Sequence, residues 1–169
     1  MIVLIATATL IASCGRAPTA MKYTSYTNKT LGIAVDIPQG WDNISESPEA
    51  PLFDSPDGSM SVGMALIPNP ARRKPLDFVD LSDLFYEVEV LESRTDLVIQ
   101  GHEAAMTRFL AKGRRDIEEF KNLEVVEIHL AIELKGNILF FCYVGDVDKA
   151  IELVRIYRRM VSTIEFLND

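Results

Sequence analysis

The stretch LEVVEIHLAIELKGNILFFCY, residues 123–143, decides the fold. Its even positions from 126 to 134 are all apolar, whereas Glu127, His129 and Glu133 stand at odd positions between them. Successive side chains of a strand point to opposite faces of a sheet, so this alternation indicates a long strand with one buried face.

A second strand follows directly after a tight turn at Lys135-Gly136-Asn137. Glycine and asparagine tolerate the positive φ that a two-residue hairpin turn requires, and we place the turn at Gly136-Asn137. The return strand from Ile138 to Tyr143 is apolar at every position, which is typical of a strand covered on both faces. The sequence therefore predicts a single α+β domain, with this hairpin near the middle of an antiparallel β-sheet flanked by helices.

Length, composition and charge limit the possible classes of protein. The chain has 169 residues, of which 48% are hydrophobic and 25% charged, as expected for one globular domain. Its formal net charge is −8. A nucleic-acid-binding protein needs a basic face to neutralise phosphates, so we expect no nucleic-acid partner.

The amino-terminal segment from Met1 to Ser13 is uncharged and almost wholly apolar or small. As a helix it would span about 20 Å, short of the ~30 Å hydrocarbon core of a membrane, so it is interpreted as a signal-peptide core. Ile11-Ala12-Ser13-Cys14 resembles the bacterial lipoprotein signal. The resemblance implies that Cys14 becomes the first residue of the mature chain and carries fatty acids such as palmitate.

One feature of that signal is missing, because no lysine or arginine precedes the apolar run. A start codon placed too far downstream or a weak signal would account for this. The alternative is a chance apolar start with Cys14 unmodified. If the signal is real, the protein is anchored by lipid to a membrane of the cell envelope and faces its extracytoplasmic side.

Residues 16–30 are polar, rich in threonine and serine, and show neither helical nor strand periodicity. We therefore predict a signal peptide at 1–13, a flexible tether at 14–30 and a globular domain at 31–169.

Within that domain, turn residues and apolar spacing indicate the remaining elements. Pro56-Asp57-Gly58 is a strong hairpin signal, and Asp146 is a candidate helix cap. We predict strands at 32–37, 52–55, 59–67, 97–99 and 103–110, a helix over 76–91, a charged loop at 111–122 and a last helix. The apolar stripe of that last helix is predicted to be Ile151, Val154, Tyr157, Val161 and Ile164, broadened by Val147, Leu153, Ile156 and Met160.

Two short motifs resemble the PsbP-like domain family. GIAVDIPQGW at 32–41 resembles the family's opening strand and its Pro-x-Gly-Trp corner, and STIEF at 162–166 is similar to the end of its last helix. The order of elements between them also matches. The resemblance implies an α/β/α sandwich that serves as an accessory subunit or small binding factor, frequently lipid-anchored, without shared catalytic residues.

Residues for catalysis are scarce. The chain has no Gly-x-Ser-x-Gly motif, no phosphate loop and only two histidines, His102 and His129. Cys142 lies in mid-strand, where we expect a buried and inert thiol. We therefore predict that the protein is not an enzyme and needs no cofactor. Asp54 and Asp57 match too few positions of a calcium loop, and turn chemistry explains both.

One group of polar residues is a candidate ligand or metal site. Glu127, His129 and Glu133 share a strand face, with the first two Cα atoms about 6.5–7 Å apart. An imidazole with carboxylates suits a divalent ion. The alternative is the polar side of a strand on which a carboxylate satisfies the histidine.

Two functions remain open. The first is a membrane-anchored lipoprotein that acts as a non-catalytic accessory or binding module of an envelope protein complex, with the membrane and an envelope protein as partners. The alternative is a small-ligand or divalent-metal-binding lipoprotein, which would use the Glu127 and His129 face beside Leu139, Phe141 and Tyr143.

Overall fold

A computed structural model describes residues 20–79, 85–114 and 123–167. The predicted signal segment 1–13 and Cys14 lie outside these ranges. Within them, no helix is long and apolar enough to cross a membrane.

The described residues form ten strands and two α-helices. Most of the strands belong to one antiparallel sheet, in which the central hairpin is flanked by long neighbours. The elements are β1 (Tyr23–Asn28), β2 (Ile33–Pro38), β3 (Asp42–Asn43), β4 (Leu52–Asp54), β5 (Met60–Pro68), α1 (Leu76–Val79), β6 (Phe85–Ile99), β7 (His102–Arg114), β8 (Glu124–Leu134), β9 (Asn137–Asp146), α2 (Ala150–Thr163) and β10 (Glu165–Phe166).

The large sheet has seven strands in the order β3-β4-β5-β9-β8-β7-β6, and the small sheet has three in the order β1-β2-β10. The hairpin β8–β9 therefore lies in the middle of the large sheet, which confirms the prediction from residues 123–143. The α+β class and the antiparallel pairing are confirmed as well.

The main core lies on one face of the large sheet. The register pairs Ile128 with Tyr143 and Leu130 with Phe141, and all four side chains are fully or almost fully buried. Helix α2 and strand β2 cover this face. Burial of these large apolar side chains stabilises the fold and fixes the position of α2.

Helix α2 is amphipathic, but its buried face is centred on the residues predicted only to broaden the apolar stripe, and the predicted stripe is wrong at Ile151. Leu153, Ile156 and Met160 are fully buried, at the spacing of one helix face, whereas Ile151 is 73% exposed. The predicted cap is also wrong. Asp146 ends β9, donates its N–H to the Ser59 carbonyl at 3.0 Å and makes no capping bond through its side chain.

The folded body begins before Leu31, so the predicted tether boundary is wrong for residues 23–28. Strand β1 pairs antiparallel with β2 along its whole length. Asn28 is buried at its end, where Oδ1 accepts from the Leu31 N–H at 2.9 Å. The polarity of this stretch suggested a tether, but tyrosine and threonine favour strands, and β2 supplies the pairing partner.

The predicted helix over 76–91 is also wrong beyond its first turn. Among the described residues of this range, Leu76–Val79 is helical and Phe85–Ile99 is a long edge strand, while residues 80–84 lie outside the described ranges. Its pairing with β7 shifts register between Val90 and Glu92 and again between Arg94 and Leu97. Each irregularity inserts an unpaired residue and interrupts the alternation, so the sequence shows no clean strand period there.

Two smaller predictions need adjustment. Strand β7 continues to Arg114, so the first four residues of the predicted loop 111–122 are strand, and residues 115–122 lie outside the described ranges. The hairpin turn consists of Lys135 and Gly136, with φ of +76° at the glycine, and Asn137 already belongs to β9.

Candidate functional site

A buried polar pair lies on the second face of the central hairpin, opposite α2. His129 is 1% exposed and Glu127 is 5% exposed. Both lie on β8, two residues apart, so their side chains point to the same side of the sheet. His129 Nε2 is 2.7 Å from Glu127 Oε2. The middle of the strand is therefore buried on both faces, and Glu127 and His129 are not solvated.

The hairpin register adds a third group. Cys142 on β9 is the direct cross-strand partner of His129. Its Sγ lies 3.9 Å from Glu127 Oε2 and its side chain is half-buried. One ligand atom from each of the three residues lies within 4.8 Å of the other two. We call these residues, Glu127, His129 and Cys142, the hairpin cluster.

Aromatic rings enclose the histidine of the hairpin cluster. The Phe109 and Phe140 ring centroids lie 4.8 Å and 5.4 Å from the His129 ring centroid, both edge-on. His129 Nδ1 is buried and has no hydrogen-bond partner within the described part of the chain. The cluster thus combines three potential metal ligands with a largely apolar enclosure.

Glu133 lies apart from this cluster. It stands near the turn end of β8, where its carbonyl is 3.0 Å from His102 Nδ1. Its side chain lines a shallow surface depression together with Asn69, Arg72 and Lys135. The structure thus brings two of the three predicted ligand residues together and adds Cys142, which the sequence suggested only as an inert thiol.

The predicted ligand site, with Glu127 and His129 beside an apolar groove of Leu139, Phe141 and Tyr143, is wrong in the placement of its apolar residues. Leu139, Phe141 and Tyr143 are fully buried, and the register pairs Leu139 with Ile132 on the α2 face of the sheet. They are separated from the hairpin cluster by the thickness of the sheet.

The tyrosines of the core are not available as bases at neutral pH. Burial raises the pKa of Tyr143 well above its ordinary value and raises the pKa of Tyr157 to about 12. Both phenols are therefore protonated, and their rings pack edge-on with centroids 5.4 Å apart.

The side chain of Asp57 stabilises the turn between β4 and β5, as expected from its position in Pro56-Asp57-Gly58. Its Oδ1 accepts hydrogen bonds from the Ser55 and Ser59 hydroxyls, both at 2.7 Å, and from the Ser59 N–H at 3.1 Å. These bonds hold the pKa of the Asp57 carboxyl well below its usual range.

We expect Asp57→Ala to lower the urea midpoint of unfolding at pH 7, because three bonds that close the β4–β5 turn are lost. The pKa of the carboxyl is depressed in the folded state, so its contribution is complete above the unfolded value of about 3.9 and is lost as the pH falls below it. The difference in urea midpoint between Asp57→Ala and the unaltered chain should therefore become smaller as the pH is lowered. Urea titrations at pH 7 and at pH 3 would measure it, and a difference that grows at pH 3 would contradict the assignment.

A basic patch is formed by side chains of α2 and one side chain of β7. Arg108, Arg155 and Arg158 line a shallow cleft with Val154 and the exposed Ile151. Glu92 reaches Arg108 at 3.5 Å. Neither Arg155 nor Arg158 has an ion pair within residues 20–79, 85–114 and 123–167. We call these five residues, Arg108, Ile151, Val154, Arg155 and Arg158, the arginine patch.

The comparisons with known proteins find similarity at the level of structure and not of sequence. The chain matches no family model and no curated protein sequence. Among solved structures, the Ran-binding protein Mog1p of Saccharomyces cerevisiae matches with a TM-score of 0.62 and 12% identity, over 88% of this chain and 97% of that one.

Two further matches come from bacteria. The cyanobacterial PsbP of Synechocystis, CyanoP, has a TM-score of 0.62 and 15% identity, over 92% of this chain and 98% of that one. LpqN, involved in cell envelope biogenesis of Mycobacterium tuberculosis, has a TM-score of 0.52 and 9% identity, over 86% and 91%. Identities this low establish the fold and nothing more specific. The chain therefore has the fold shared by PsbP and Mog1, as its opening strand and last helix led us to expect.

Proposed function

We propose that this protein is a non-catalytic binding module, held by a lipid on Cys14 at the extracytoplasmic side of a membrane, that docks an envelope protein through the arginine patch. The observation that carries the proposal is the patch itself. It concentrates three guanidinium groups around an exposed aliphatic side chain on a chain of net charge −8.

The chemistry of the patch favours an acidic protein surface as its partner. Arginine is enriched at protein interfaces, where its planar group binds carboxylates through paired hydrogen bonds. Arg108 Nε is buried without an acceptor in the described part of the chain. Ile151, 73% exposed, offers an apolar anchor in the same cleft as these charges. A partner surface with carboxylates around a small apolar recess would bind both the arginines and the Ile151 side chain.

Other features support a binding module. In the hairpin cluster the His129 imidazole is hydrogen-bonded to the Glu127 carboxylate at 2.7 Å, which is not the pairing of a histidine base with a nucleophile. The lipoprotein-type sequence ending at Cys14 supports the anchor. Among the proteins with this fold, Mog1p is described as Ran-binding and LpqN as involved in cell envelope biogenesis.

The test is crosslinking of the full-length protein in intact cells, followed by purification from detergent-solubilised membranes. We expect one dominant crosslinked protein, and Arg155→Glu/Arg158→Glu should reduce its recovery by about tenfold or more because charge reversal repels an acidic partner. The matched control Lys74→Glu/Lys135→Glu reverses two exposed charges outside the patch and should leave recovery unchanged. Cys14→Ser should release the protein from the membrane fraction.

Three results would overturn parts of this proposal. Equal recovery with both double variants would remove the arginine patch as the docking site. Binding of the unlipidated chain to anionic vesicles, lost with Arg155→Glu/Arg158→Glu, would assign the patch to lipid headgroups instead. Unaltered protein found in the cytoplasm would contradict the anchor.

A further inference from the structure

We propose that the hairpin cluster binds a divalent ion of the zinc class, with Glu127, His129 and Cys142 as its protein ligands. This site lies on the β-sheet face opposite α2. The proposal depends on neither the lipid anchor nor the arginine patch.

The spacing of the three ligand atoms suits such an ion. Zinc binds nitrogen at about 2.0–2.1 Å and sulfur at about 2.3 Å, so tetrahedral ligand atoms lie roughly 3.3–3.8 Å apart. Glu127 Oε2 is 2.7 Å from His129 Nε2 and 3.9 Å from Cys142 Sγ. The third distance, between the ligand atoms of His129 and Cys142, is at most 4.8 Å. Binding would therefore require the carboxylate to rotate away from the imidazole and the thiol to rotate toward both other ligands.

The backbone is rigid at this point. Strands β8 and β9 pair without interruption from Val125–Asp146 to Leu134–Asn137, in the middle of the large sheet. The ligands are thus held by a continuous hydrogen-bond ladder, and only side-chain torsions need to change. A rigid support of this kind reduces the ordering cost of metal binding.

The local electrostatics also favour a cation. A carboxylate that is 5% exposed and an imidazole that is 1% exposed are costly to bury without full hydrogen bonding. A bound divalent ion would compensate the charge of the carboxylate and of a thiolate at once, and the proton of the Cys142 thiol would be released to solvent.

The ligand types select the metal. A thiolate combined with imidazole and carboxylate is a set that zinc accepts, whereas calcium and magnesium require oxygen ligands. Three protein ligands leave the fourth tetrahedral position for water. Cys142 is half-buried, whereas Glu127 and His129 are buried.

The test uses the full-length Cys14→Ser chain, in which Cys142 is the only thiol, titrated with Co²⁺ and then with Zn²⁺. We expect one Co²⁺ per chain, a sulfur-to-cobalt charge-transfer band with intense tetrahedral visible bands, and displacement of the cobalt by zinc. Zinc should also raise the thermal midpoint and protect Cys142 from a thiol-specific reagent.

Variants of the three ligands test whether the bound metal ion is held by the hairpin cluster. Cys142→Ser should abolish the charge-transfer band, and His129→Gln should raise the dissociation constant by more than about 100-fold. The matched controls His102→Gln and Glu133→Gln should bind as the parent does. Circular dichroism would establish that each variant is folded, and Cys142→Ser provides a mild change if His129→Gln is not.

Failure to bind one metal ion per chain, or a charge-transfer band that survives Cys142→Ser, would overturn the inference. Neither result would affect the crosslinking test of the arginine patch, because that test involves no residue of the hairpin cluster.

Discussion

Replacing Glu127 by leucine in metal-free protein should lower the free energy of unfolding by about 1–3 kcal/mol. The carboxylate is the hydrogen-bond partner of His129 Nε2 at 2.7 Å, and the imidazole is 1% exposed. Its removal leaves the buried ring with neither nitrogen paired within the described residues. His129→Leu should have a larger effect, about 3–5 kcal/mol, because it leaves the carboxylate buried without its closest donor. Urea unfolding at pH 7 with a chelator present would measure both.

The double variant Glu127→Leu/His129→Leu is the matched comparison. It removes both polar groups and extends the apolar cluster around Phe109, so we expect it to recover most of the lost stability. A double variant as stable as the parent would mean that the pair adds nothing to folding, as expected for residues kept for metal binding. Single variants within about 0.5 kcal/mol of the parent would instead show that water reaches the pair.

The central hairpin was predictable because the pattern of β8 and the pattern of β9 both indicate a strand. Alternation in β8 and an apolar run in β9 are local patterns, and a glycine with φ of +76° closes the turn between them. A hairpin brings neighbours in sequence together in space, so no distant information is needed. The same reasoning explains why the Pro56-Asp57-Gly58 hairpin was also predicted correctly.

The failures of prediction lie where distant strands determine local structure. Strand β1 is polar and is ordered by its pairing with β2. Strand β6 alternates irregularly because of two register shifts against β7, so Phe85, Val88 and Leu91 matched a helical spacing by coincidence. In both segments tertiary pairing overrides the local pattern.

The candidate metal site was half predicted. Residues two positions apart in a strand point to the same face of a sheet, so Glu127 and His129 share one face of β8 whatever strand pairs with it. The third ligand depends on register. A turn at Gly136-Asn137 would pair His129 with Val144, whereas the observed turn at Lys135-Gly136 pairs it with Cys142. A turn displaced by one residue thus changes the cross-strand partner by two positions.

The arginine patch was not predictable from composition, because the overall charge of −8 conceals it. Arg155 and Arg158 lie three residues apart on α2, and Arg108 comes from β7. Only the packing of α2 on the sheet brings the three together. The predicted apolar stripe placed Ile151 in the core, and with that orientation no such patch would have been expected on the helix.

Leu153→Ala tests the orientation of α2 and should destabilise the protein by about 2–5 kcal/mol. Leu153 is fully buried in the main core, and its methyl groups would lie 3.5 Å from a Cβ placed at Gly145 on β9. Truncation leaves a cavity between helix and sheet that the close packing at this glycine cannot fill. Urea unfolding followed by far-ultraviolet circular dichroism would measure the loss.

Ile151→Ala is the matched control, because it makes a comparable truncation on the same helix at a side chain that is 73% exposed. Its unfolding free energy should stay within about 0.5 kcal/mol of the parent value, whereas recovery of the crosslinked partner should fall. If Ile151→Ala were instead as destabilising as Leu153→Ala, the helix would be rotated toward the stripe of Ile151, Val154, Tyr157 and Val161. The arginines beside Ile151 would then face the sheet, and the docking surface would have to lie elsewhere.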